Sequence, residues 1–189
     1  MSALPVTRRE FLKVSAVAGG GLMIGINLGA TSTAEAAATA AGFENAWIKI
    51  TPDNKITFVC HRNEMGQDVH TSIAMMLADE LGVDPRKVTV VQAGSNPKLY
   101  INKLLGGQLT GGSTSIRDAW EPVRMAGASA RMMLVGAAAT EWKVPVTECK
   151  AENGMVVCGT KKLTYDELSF TGTLTAVSST VPSPSQSMR

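Results

Sequence analysis

Two stretches of the chain set a glycine-containing polar loop directly in front of a helical pattern: Glu64-Met65-Gly66-Gln67-Asp68-Val69-His70-Thr71 and Gly111-Gly112-Ser113-Thr114-Ser115. A helix start leaves backbone N–H groups unpaired, and with the helix dipole they favour an anion. Glycine lets the backbone approach closely, while Gln, Ser and Thr add short donors. Two such loops suit one phosphate-bearing ligand gripped between two helix starts; the plainer reading is that Ser, Thr and Asp simply cap the helices. Neither glycine cluster is followed by Gly-Lys-Ser/Thr, which excludes the phosphate loop of nucleotide triphosphatases, and no dinucleotide-binding glycine fingerprint is present. Of the two histidines, His70 lies inside the first loop, to bond a ligand or to pack the loop, and His61 is expected at the loop surface. Ligands at zinc-like spacing and C-x-x-C pairs are absent from the sequence, so no metal site, iron–sulfur cluster or c-type haem is expected in this chain.

The flanking pattern supplies the elements that must hold these loops. Trp47 to Ile50 and Lys55 to Cys60 are β-like runs joined by Thr51-Pro52-Asp53-Asn54, which predicts a hairpin. Val69, Ile73, Met76, Leu77 and Leu81 recur at helical spacing, and Gly82 ends that helix. Lys87 to Val91 is a short β-branched run, so strand, helix and strand follow in the order of a crossover unit. Gln92 to Ser115 is irregular. Arg117 to Trp142 is the longest helical pattern, with Pro122 expected early in it, where proline is tolerated. The fold class is therefore α/β, with α+β as the alternative: a small mixed sheet packed by two main helices, the two polar loops clustering at their N-terminal ends.

Cys149 to Cys158 encloses Asn153-Gly154, a strong two-residue hairpin signal. A turn centred there sets Cys149 opposite Cys158 at a non-hydrogen-bonded position, where a cross-strand disulfide and two reduced thiols are both feasible; Cys60 stays unpaired. The net charge of +2 is weak and partly due to the N-terminus, so neither nucleic acid nor an anionic membrane surface is implied as a partner. At the N-terminus, Thr7-Arg8-Arg9-Glu10-Phe11-Leu12-Lys13 precedes an apolar, glycine-broken run and small residues around Ala34-Glu35-Ala36. That order marks residues 1–36 as a twin-arginine signal peptide and predicts export to the periplasm by the twin-arginine translocase. From Ser169 to Arg189 the pattern dissolves into Ser and Thr, as in a disordered or out-of-frame tail.

The string from His61 to Thr71, with its following helix and strand, resembles the E-M-G-Q-G-x-H-T motif of the xanthine oxidase and aldehyde oxidase family. The large subunits of the isoquinoline 1-oxidoreductase and periplasmic aldehyde dehydrogenase group are most alike. Gly106 to Ser115 followed by Arg117-Asp118-Ala119-Trp120 is similar to that group as well. The resemblance implies that residues 43–168 are part of a molybdopterin-binding domain serving a molybdenum cofactor, in bacteria commonly molybdopterin cytosine dinucleotide. Such enzymes hydroxylate N-heterocycles or oxidise aldehydes with oxygen from water. By the same resemblance Gly66, Gln67, Asp68 and Val69 contact the pterin and its phosphates, with His70 beside them. Gly112, Ser113, Thr114 and Ser115 form the second dinucleotide-contacting stretch. Asp68 stands where many relatives have glycine and brings a negative charge toward any phosphate unless it turns away to cap the helix. The family's catalytic glutamate belongs near the C-terminus of a much longer subunit, so no catalytic residue is assigned. The chain is expected to be an N-terminal portion, truncated and inactive alone, whose intact enzyme would use a small [2Fe-2S] subunit and a cytochrome electron acceptor. The alternatives are a non-catalytic periplasmic pterin- or nucleotide-binding module, or an interaction domain that keeps only the fold.

Overall fold

In the computed structural model, residues 22–24, 47–51 and 53–170 are described. Strands β1 (Leu22–Ile24), β2 (Ile48–Ile50), β3 (Ile56–Cys60) and β4 (Val88–Gln92) form one sheet in that order. β1 and β2 pair antiparallel, as do β2 and β3, whereas β3 and β4 run parallel with Ile56 opposite Val88. The sheet is therefore mixed, as the crossover pattern predicts. Its parallel pair is joined by helix α1 (Val69–Leu81), because parallel strands cannot be linked by a tight turn. The signal-peptide assignment lies outside the described residues except at β1, whose backbone pairs with β2.

Helix α1 buries Ile73, Leu77 and Leu81 completely and ends at Gly82, whose φ of 74° is the left-handed conformation in which glycine carries no Cβ penalty. A short helix α2 (Pro97–Tyr100) interrupts the irregular segment, started by Asn96, whose side chain accepts from Leu99 N. Helix α3 (Ser115–Trp142) packs along α1. A Cβ on Gly127 would stand 2.8 Å from Leu77 O and 2.9 Å from Glu80 Cβ, so this glycine sets how closely the helices approach. Beside that contact, buried Glu80 of α1 pairs with Arg124 and, at 3.6 Å, with Arg131, both of α3.

Helix α3 begins two residues before the expected Arg117, because the Asp118 N–H already bonds Thr114 O at 2.8 Å. Pro122 is the eighth residue of the helix and lies inside it, past the first turn where proline is best tolerated. A second sheet, β5 (Lys150–Glu152), β6 (Met155–Cys158) and β7 (Lys161–Thr164), is antiparallel throughout. Asn153 (φ 53°) and Gly154 (φ 81°) both take positive φ, as the two-residue turn demands. The third strand and the following helix α4 (Tyr165–Phe170) have no counterpart in the sequence reading, and α4 runs two residues into the stretch where the pattern dissolves. The remainder of that stretch, 171–189, lies outside the described residues. Gly154 N donates to Gly82 O at 3.0 Å and Tyr165 Oη to Leu81 O at 2.6 Å, which fastens this sheet to the C-terminal end of α1.

Candidate functional site

The two helix starts face one cleft of about 310 Å³, lined by Met65, Gln67, Val69 and Ser72 on the α1 side and by Thr110, Gly111, Ser113, Ser115 and Ile116 on the α3 side. The loops are tied directly, since Asn63 N donates to Thr110 Oγ1 at 2.9 Å. Beneath them lies a buried anchor. The fully buried Arg62 guanidinium donates to Asp118 Oδ2 and, at 2.9 and 3.0 Å, to the carbonyls of His61 and Tyr100. The other Asp118 oxygen accepts from Lys103 N at 2.8 Å. A charge pair withdrawn from water is stable only when its remaining donors and acceptors are met, and here backbone groups meet most of them.

The first loop satisfies itself. Glu64 Oε1 accepts from Gly66 N (2.8 Å) and Asp68 N (3.0 Å), and Oε2 accepts from His70 N (3.0 Å). The bond from His70 N is the main cause that holds the Glu64 carboxyl below its ordinary range. Gln67 is likewise engaged at both ends, accepting from Met65 N at 2.5 Å and donating to Asn63 O at 2.9 Å. Asp68 does not cap α1 with its side chain; its backbone is left-handed at φ 60°. Glycine takes that backbone without a Cβ penalty, and Asp is among the few other residues that tolerate it. His70 Nε2 lies 2.8 Å from Arg62 O and 3.2 Å from Gln92 Oε1, so this ring nitrogen is turned into the protein.

The second loop is wound differently. Gly112 (φ 59°) and Ser113 (φ 53°) are both left-handed, and Thr114 is drawn inward. Its hydroxyl donates to Gly111 O at 2.8 Å and accepts from the buried Asn102 Nδ2 at 2.7 Å. Ser113 and Ser115 therefore face the cleft while Thr114 braces it from behind.

His61 corrects the surface expectation: it is buried, with its ring 4.6 Å from Trp47 and 6.4 Å from Tyr100. Burial, and secondarily the Arg62 charge, lower its pKa to about 3, so the imidazole is neutral and its 4.0 Å approach to Asp118 is no ion pair. The sequence reading also missed Glu64 and the Arg62–Asp118 anchor. Glu64 was legible in principle as a carboxylate just upstream of a glycine at a helix start; the anchor spans distant positions that no local spacing connects. Cys149 and Cys158 are free thiols here.

This arrangement is an α/β scaffold presenting two cross-tied loops to a shared hydroxyl-bearing cleft. Residues 7–183 match the molybdopterin cofactor-binding domain family, and the chain belongs to that family. It is 36% identical to the isoquinoline 1-oxidoreductase subunit beta of Brevundimonas diminuta over 74% of this chain and 18% of that one. It is 32% identical to the membrane-bound aldehyde dehydrogenase [pyrroloquinoline-quinone] of Gluconacetobacter polyoxogenes over 65% of this chain and 15% of that one. The CO dehydrogenase of Oligotropha carboxidovorans shares the fold, with a TM-score of 0.52 at 21% identity over 64% of this chain and 15% of that one. The chain thus spans less than a fifth of the length of the curated relatives it matches.

Proposed function

We propose that this chain supplies one part of the cofactor cradle of a molybdenum-dependent oxidoreductase that hydroxylates N-heterocycles or oxidises aldehydes with oxygen from water. The observation that carries the reading is the meeting of both glycine loops in one cleft, in a chain of the molybdopterin-binding family. The cleft chemistry suits the group. Thr110, Ser113, Ser115 and Ser72 bring hydroxyls, and Met65, Val69 and Ile116 bring apolar surface, with no carboxylate among the lining residues. Its volume takes a phosphate-and-sugar portion of a molybdopterin cytosine dinucleotide rather than the whole ligand.

In this assignment the α3 side does the anion holding. Ser113 and Ser115 donate to phosphate oxygens, and the α1 loop shapes the wall, because Glu64 already takes up the N–H groups of Gly66, Asp68 and His70. Gly66, Gln67, Asp68, Val69 and His70 therefore contribute backbone shape and van der Waals contact more than ligand bonds. When bound, the molybdenum group would supply the redox and oxygen-transfer chemistry. Glu64 is held by backbone donors, so the proton-accepting base of the reaction belongs to a portion of the enzyme other than this cleft, and the chain alone is inactive. A small [2Fe-2S] subunit and a cytochrome complete the electron path, and residues 1–36 direct export through the twin-arginine translocase to the periplasm.

The test is expression of the full chain in a host that makes the cofactor, followed by molybdenum analysis and release of CMP. Near-equal molybdenum and CMP, lost together in Ser113→Ala/Ser115→Ala, is the expected result. CMP without molybdenum would favour the non-catalytic nucleotide-binding module. A folded protein carrying neither would refute the cradle reading.

A further inference from the structure

The hairpin β5–β6 carries a covalent possibility that the cleft does not use. Its register pairs Lys150 with Val157, Ala151 with Val156 and Glu152 with Met155 around the Asn153-Gly154 turn. In a two-residue hairpin the residues flanking the turn form a hydrogen-bonded pair, and the pairs then alternate. Continuing outward, Cys149 and Cys158 are opposed at a non-hydrogen-bonded site, where Cα atoms come within roughly 4.5 Å, inside the span that a disulfide bridges. Side-chain direction agrees: Cys158 lies two residues from the fully buried Val156, so both point to the inner face, and Cys149 shares that face across the ladder. Burial first, and then the neighbouring Cys158 thiol, push the Cys149 thiol up to about 11.

We propose that Cys149 and Cys158 form a disulfide by exchange with an external disulfide oxidant, of the class represented by oxidised glutathione. Cys149, the more exposed of the two, loses a proton and attacks the oxidant, forming a mixed disulfide and releasing one glutathione as its thiolate. Cys158, deprotonated in turn, attacks the Cys149 sulfur and releases the second glutathione. Two protein thiols are oxidised by two electrons, one oxidant disulfide is reduced to two thiols, and the protons pass to solvent and the leaving thiolates. The third cysteine takes no part: Cys60 is buried in β3 of the other sheet, with its Sγ donating to Arg62 O at 3.6 Å. The bridge would lock the hairpin that meets the C-terminal end of α1 through Gly154.

The experiment equilibrates the reduced full chain with oxidised glutathione at pH 8, then counts thiols in denaturant and maps peptides. The sequence holds 3 cysteines, so the expected count falls from three to one, with a peptide linking 149 to 158. Cys60→Ser should fall from two thiols to none, and Cys149→Ser should keep its two unlinked. The oxidised protein should resist urea, with an unfolding constant lower by roughly tenfold or more than that of the reduced form. Three thiols persisting, glutathione remaining attached at Cys149, a bridge that includes Cys60, or links between chains would each overturn the proposal. Because the attacking thiol titrates high, closure should quicken as pH rises from 7 toward 10.

Discussion

The two loops that carry the same sequence signal are electrostatic opposites. In the α1 loop a carboxylate of the chain itself, Glu64, takes the N–H groups of Gly66, Asp68 and His70, and Gln67 closes on the same loop. In the α3 loop no acidic side chain is folded back onto the turn; Thr114 is pulled behind it by Asn102, and Ser113 and Ser115 face the cleft. Glycine and short polar residues before a helix therefore do not by themselves define an anion seat. The seat depends on whether the protein has already filled it. A loop filled from within is a rigid wall, and a loop braced from behind keeps its donors for something else.

The comparison breaks most completely if the shared anchor is removed. Asp118→Ala leaves the buried Arg62 guanidinium without its carboxylate and should cost about 3–5 kcal/mol. Chemical denaturation should report that loss. Cross-relaxation between Asn63 and Thr110 should disappear from both loops together, and its survival would show that the loops are not tied through this pair.

Acid should separate the two loops, since His61 underlies the first. Its folded pKa of about 3 lies below the ordinary 6.5, so the unfolded chain takes up the proton first. The stabilising difference is complete above pH 6.5 and is lost as pH falls from there toward 3, by about 1.4 kcal/mol per pH unit. Stability curves at several pH values should show this slope, and His61→Phe should flatten it. Glu64 adds to the same trend at lower pH. Its lowered pKa makes its loop bonds complete above the usual carboxylate range and lost as pH falls through the folded value.

The comparison sharpens if the filled seat is emptied. Glu64→Ala should bind inorganic phosphate roughly tenfold more tightly at the α1 start, because charge-assisted bonds to the freed N–H groups become available. Amide shifts at Gly66, Asp68 and His70 during a phosphate titration would locate it. No gain in the variant would mean that Glu64 shapes the loop without competing for the anion. The smallest effects belong to the left-handed residues. Ser113→Gly should stabilise by about 0.5–1 kcal/mol as the Cβ penalty is removed. Asp68→Gly should gain less, because Asp tolerates that backbone better and its charge suits a helix start. Urea midpoints of the two variants provide the comparison.

The scaffold was readable because its periods are local. Apolar spacing marks α1, β-branched runs mark β3 and β4, and Asn153-Gly154 marks the β5–β6 turn with its register. The meeting of the two loops was expected from their shared position before helices, and the cleft brings them together. What escaped local reading depends on contacts between distant positions. Arg62 reaches across to Asp118, Asn102 to Thr114, and His61 lies between Trp47 and Tyr100. The inward turn of Thr114 follows from Asn102, so a serine and a threonine side by side in one motif have different tasks for reasons their own spacing does not contain.

The fastening of the second sheet to α1 has a consequence for the order of events during synthesis. The β3–α1–β4 unit closes within Ile56 to Gln92, so it can assemble as soon as that stretch leaves the ribosome. The carbonyls of Leu81 and Gly82 receive Tyr165 Oη and Gly154 N only much later. The last turn of α1 should therefore stay exchange-competent in nascent chains ending before Gly154, and become protected once Tyr165 has emerged. Pulse-labelled hydrogen exchange on stalled chains of increasing length would time that step.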